Sequence, residues 1–181
     1  MRFSTVIRAA VATVAAVLAM QAHAGRWEFG FYNNPADGAL TRGWEAYIPT
    51  NYNPATPTPM VVALHGCGQT PQTFNSSSRW TALAEQRNFI VLFPAQASVA
   101  NPSLCWNWYS PTNQARGYGE PAVVKGMVDL IKSRFNIDGR RVYSTGISAG
   151  AAMSAILAAC YSDVFAASAV HSGPMYKAAT T

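Results

Sequence analysis

The sequence predicts an α/β fold with a mostly parallel sheet covered by helices on both faces, and three observations carry that prediction. Short, continuous apolar runs, MVVAL at 60–64 and FIVLF at 89–93, read as buried parallel strands. Between and after them lie segments of helical spacing, so strands alternate with helices. Half of the 181 residues are hydrophobic and 12% are charged, which is too apolar for a disordered chain. The formal net charge of +5 comes from scattered Lys and Arg. No clustered basic patch is present, so a nucleic-acid partner is not expected.

Residues 1–24 read as a signal peptide. Arg2 and Arg8 make a positive start, 9–20 is an apolar run, and Ala22-His23-Ala24 is a small-x-small cleavage site. The run is too short for a spanning helix, which needs about 20 residues. The expectation is therefore secretion, outside the cell or into the periplasm, with no membrane attachment after cleavage. Residues 25–181 would then be the N-terminal portion of a catalytic domain. Export permits disulfides. Of the three cysteines, Cys67 and Cys105 both lie in loops and are the preferred pair, while Cys160 closes an apolar helix as a small buried hydrophobe. No metal-ligand spacing of the Cys-x-x-Cys kind occurs, and no metal or other cofactor is expected.

Along the chain, 27–31 and 44–48 alternate like half-buried strands around a turn-rich Asn33-Asn34-Pro35-Ala36-Asp37-Gly38. A Pro/Thr/Asn loop at 51–59 leads into strand 60–64. A helix is expected over 78–87, a strand over 89–93 and a long loop over 94–118. Val124, Met127, Val128 and Ile131 recur at helical spacing within 121–135, with Pro121 at the start. A strand at 141–145, a helix at 149–160 and a strand at 166–170 complete the reading.

Two loops carry chemistry. Gly146-Ile147-Ser148-Ala149-Gly150 follows the strand RVYST and opens the helix AGAAMSAILAAC, the strand–turn–helix setting of a nucleophile elbow. Gly146 and Gly150 let the chain turn sharply, so Ser148 is the candidate nucleophile. A developing acyl oxyanion needs two backbone N–H donors aimed at one point. Ala149, the residue after the nucleophile, offers one. Leu64-His65-Gly66-Cys67-Gly68-Gln69 follows a buried strand, and its glycines free the Cys67 N–H to be the other. His65 is read as a brace for this loop, because the triad order on this fold is nucleophile, acid, then histidine.

The blocks ALHGCGQT, FPAQ, SLCWNWY, RGYGEPAVV and RVYSTGISAGAAMSAILAACYSDVFAASAVHSG, in this order, resemble the secreted polyhydroxybutyrate depolymerase-type esterases. The resemblance covers about 44–176. It implies an α/β-hydrolase that cleaves esters of short 3-hydroxyalkanoates, usually polymeric, through a Ser-His-Asp triad without a cofactor. It implies Ser148 as nucleophile and Cys67 and Ala149 as oxyanion donors. The family lines its substrate cleft at the position of Trp108, and flat apolar surface suits a polyester. Trp106 is the second substrate-binding candidate, with packing of its loop as the alternative.

After Ser148 the sequence contains one acid, Asp163, and one histidine, His171. Asp163 reads as a turn residue, and His171 falls on a strand end. In the family that the sequence resembles, both triad partners come from loops after later strands. The resemblance thus implies that the triad acid and base, and the last strands of the sheet, lie beyond this sequence, leaving the strand at 166–170 as an open edge. The partner is a polyester or small ester; feruloyl or acetyl esters of plant polysaccharide are the alternative substrate. A truncated remnant that at most binds polymer is the alternative of another class.

Overall fold

The computed structural model describes residues 25–33 and 41–179. The expected signal peptide and residues 34–38 of the first turn lie outside the described residues. Strands β1 (Arg26–Tyr32) and β2 (Arg42–Ile48) form an antiparallel pair, with Arg26 opposite Ile48 and Tyr32 opposite Arg42. β2 runs antiparallel to β4 (Ile90–Pro94), which is parallel to β3 (Thr58–Leu64). β5 (Ile137–Ile147) and β6 (Ala167–His171) continue the parallel set, and the order across the sheet is β1-β2-β4-β3-β5-β6. The architecture is the α/β sheet expected from the sequence, with its one antiparallel flank at β1 and β2.

β4 shows why its sequence is apolar throughout. Ile90 and Leu92 face one hydrophobic cluster, Val91 and Phe93 the other, so alternation disappears when both faces are buried. The first cluster is closed by α3 (Gly119–Arg134) and α4 (Ala149–Cys160). The second is closed by α1 (Pro71–Ser78) and α2 (Trp80–Arg87), through Phe74 and Ala84.

The helix expected over 78–87 is two helices. α1 owes its existence to its start: the Thr70 side chain accepts the Thr73 N–H, the Thr73 hydroxyl accepts the Thr70 N–H, and Pro71 fills the first turn. Arg79 then takes the left-handed conformation at φ 59°, ψ 30°, and the chain restarts as α2. β5 also runs longer than 141–145. Asp138 accepts the Arg140 N–H and the Arg141 Nε, which holds a turn-like stretch extended beside β3. A 3-10 turn, Pro111–Gln114, interrupts the long loop after β4.

The register between β3 and β5 sets Leu64 beside Gly146. The two loops that carry chemistry therefore leave the same end of the sheet as neighbours, where reactive sites of such sheets lie.

Candidate active site

Ser148 stands exposed between β5 and α4 with φ 55° and ψ −121°. That conformation costs on the order of 1–3 kcal/mol for a residue with a side chain, so the surroundings must enforce it. The Ser148 N–H donates to the His171 carbonyl at 3.1 Å, and the Ser148 carbonyl accepts the Ala152 N–H at 3.1 Å. A Cβ on Gly146 would collide with the backbone of Gly150, and one on Gly150 with the carbonyl oxygens of Leu64 and His65. The two glycines thus permit backbone contact that any side chain would prevent. Ala149 opens α4, where first-turn N–H groups lack intrahelical acceptors and the helix dipole favours a negative charge.

The facing loop is held from behind. His65 is buried, 1% exposed, and its Nε2 lies 3.1 Å from the Gln96 backbone nitrogen. An N–H can only donate, so Nε2 accepts and Nδ1 carries the proton, given at 2.8 Å to the Gly66 carbonyl. Burial pushes the imidazole below its ordinary pKa, with the Gly66 contact opposing. The Gly66 N–H donates to Gln69 Oε1 at 2.9 Å, and the Gly68 N–H to the Ser103 carbonyl at 2.8 Å. Cys67 and Cys105 are joined by a disulfide that ties this loop to the tryptophan loop.

The two tryptophans part company. Trp106 is fully buried, and its indole N–H donates to the His65 carbonyl at 3.1 Å. Its place is the wall behind the Cys67 loop rather than an open cleft. Trp108 is half-buried and meets the partly exposed Tyr109 edge to face, with centroids 5.8 Å apart. It alone of the pair has surface left for a ligand.

The sequence reading missed the anchor of this region, Glu120. Buried at the start of α3, it accepts from Gln96 Nε2 at 2.6 Å, the Asn107 N–H at 2.7 Å and Asn107 Nδ2 at 2.8 Å, and pairs with Arg42. The quoted blocks FPAQ and RGYGEPAVV contain Gln96 and Glu120, but nothing local marks them as partners.

Neither remaining candidate approaches the role of a base. Asp163 is held by Arg116 through two hydrogen bonds of 2.6 and 2.8 Å, and these bonds lower its pKa to about 2. His171 contributes its backbone carbonyl to Ser148, while its Nδ1 lies 3.2 Å from Ser172 Oγ. Below the elbow, on the side of α1 and α2, a cleft of about 430 Å3 is lined by Gln69, Phe74, Trp80, Thr145, Ile147 and His171. Among the described residues no His, Cys, Asp and Glu cluster suits a metal ion, and no helix is long and apolar enough to cross a membrane.

Residues 44–181 match the family described as esterase PHB depolymerase. The chain belongs to that family. A poly(3-hydroxyalkanoate) depolymerase C of Paucimonas lemoignei is 42% identical over 151 residues, covering 83% of this chain and 35% of that protein. Feruloyl esterase B of Neurospora crassa is 35% identical over 128 residues, covering 70% of this chain and 42% of that protein. This member of the family therefore spans well under half the length of these curated relatives. Among solved structures, an acetyl xylan esterase from Aspergillus awamori superposes with a TM-score of 0.74 at 28% identity, over 85% of this chain and 55% of that one. The fold is also that of a poly(3-hydroxybutyrate) depolymerase from Bordetella parapertussis, at a TM-score of 0.63 and 18% identity. These neighbours are α/β-hydrolase esterases.

Proposed function

We propose that the chain carries the nucleophile and oxyanion hole of a secreted serine carboxylic-ester hydrolase that acts on poly(3-hydroxybutyrate)-like polyesters or short 3-hydroxyalkanoate esters. The observation that supports this most is Ser148, held in its strained conformation beside the loop of Cys67, within a sequence 42% identical to a polyhydroxyalkanoate depolymerase. Ser148 Oγ attacks the ester carbonyl carbon, and the carbonyl oxygen takes up the negative charge between the N–H groups of Cys67 and Ala149. Collapse expels the alcohol and leaves an acyl group on Ser148, which water then releases. Each oxyanion donor of this kind is worth about 10²–10³ in kcat. A serine hydroxyl needs a base to attack at neutral pH. His65 has both ring nitrogens engaged, so the proposal places base and acid outside the described residues. Trp108 supplies apolar surface to the substrate, and the disulfide agrees with export to an oxidising compartment.

Feruloyl or acetyl esters of polysaccharide are a second reading, favoured by the likeness to a feruloyl esterase and an acetyl xylan esterase. Clearing of polyhydroxybutyrate films compared with ferulate release separates the two. The esterase reading itself is tested with p-nitrophenyl butyrate on the full-length protein that carries base and acid: a burst of one nitrophenolate per chain is expected. Ser148→Ala abolishes the burst and keeps the circular dichroism spectrum. A burst that survives this substitution sinks the nucleophile assignment, and no burst from the unsubstituted full-length protein sinks the esterase reading in favour of a remnant that only binds.

A further inference from the structure

The Gly66 carbonyl and the Cys67 N–H belong to one peptide plane, and in a trans peptide the two point in opposite directions. Whatever grips that carbonyl from behind also aims the N–H forward. The grip is the Nδ1–H of His65, at 2.8 Å from the Gly66 oxygen. The ring cannot turn over, because the Gln96 N–H fills its Nε2 at 3.1 Å and the Trp106 ring lies beside it with centroids 5.6 Å apart. Gln96 is fixed in turn: its side chain donates to Glu120 at 2.6 Å and to the Cys105 carbonyl at 2.8 Å. Among the described residues nothing accepts the Cys67 N–H, so it is left for a ligand.

We infer that His65 is a positioning residue for the oxyanion hole: locked as the Nδ1–H tautomer by Gln96 and Glu120, it aims the Cys67 N–H through the shared Gly66–Cys67 peptide. A ring that merely filled space would serve in either tautomer. This one works in a single tautomer. The gain is realised when charge develops on the substrate oxygen, so its loss falls on kcat and not on KM. The kinetic consequence rests on the esterase reading, whereas the tautomer does not.

Two measurements test it. Nitrogen-15 NMR of the chain at pH 7 is expected to show a protonated Nδ1 and an acceptor Nε2 on His65; a protonated Nε2 overturns the inference. The second is kinetic, on p-nitrophenyl butyrate with the full-length protein that carries base and acid. Asn places its amide near the position of Nδ1, while Gln reaches toward that of Nε2 and leaves the Gly66 carbonyl without a donor. His65→Gln is expected to lower kcat about 10–100-fold at unchanged KM, below the full loss of a donor. His65→Asn is expected to stay within about fivefold of the unsubstituted chain. Equal losses in both variants, or a loss confined to KM, overturn the inference. If neither variant folds, the NMR result on the unsubstituted chain decides. If the unsubstituted full-length protein shows no burst, the esterase reading fails while the tautomer result still stands.

Discussion

On one face of the sheet, α3 and α4 press Val124, Met127, Val128, Ile131, Met153, Ile156 and Leu157 onto β2, β3 and β4, all buried. On the other face, α1 and α2 cover β4 and part of β3 through Phe74 and Ala84, and then stop. Val61, Thr145 and Ile147 are left half-buried there, and the 430 Å3 cleft opens beside them. The closed face holds both walls of the site. α4 carries Ser148 at its start, α3 carries Glu120, and a buried Ser144–Ser154 contact of 2.8 Å pins α4 to β5. Among the described residues, the open face contributes the exit of the Cys67 loop into α1. Precision at the nucleophile therefore depends on one side of the sheet.

The largest difference should appear between matched truncations. Met127→Ala, on the closed face, leaves a sealed void and is expected to cost about 2–5 kcal/mol in urea unfolding. Ile147→Ala, on the open face, borders the cleft, where water or neighbours can fill the space, and should cost about 1 kcal/mol. Equal losses would show that the open face is as well packed as the closed one. The smallest effect belongs to the rim. Asp163 is exposed, and Arg116 holds its pKa near 2, below the unfolded value of about 3.9. A depressed carboxylate stabilises fully above the unfolded pKa and loses that contribution as pH falls through the folded one. Acid unfolding of Asp163→Asn should therefore differ from the parent in slope only between about pH 4 and 2. A difference in slope near pH 6 would show another role for that carboxylate.

The closed face and the elbow were largely legible in the sequence, and for a local reason. Val124, Met127, Val128 and Ile131 recur along one helix, and Gly146, Ser148 and Gly150 act within five residues of each other. What escaped notice depends on partners far along the chain. Glu120 is an ordinary first-turn acid until Arg42, Gln96 and Asn107 converge on it. α1 is built by the Thr70 cap and Pro71 instead of by apolar periodicity, so 71–77 carries no helical spacing to read. Trp106 and Trp108 look alike on paper; one indole donates to the His65 carbonyl and the other keeps open surface.

Gly150 touches the Leu64 and His65 carbonyls with nothing but hydrogen between. The spacing between the Ser148 turn and the Cys67 loop is therefore set by main chain against main chain. Side chains elsewhere in the core do not enter that contact. Gly150 itself is closed to any residue with a Cβ. The contact makes one residue without a side chain the gauge by which the site is kept.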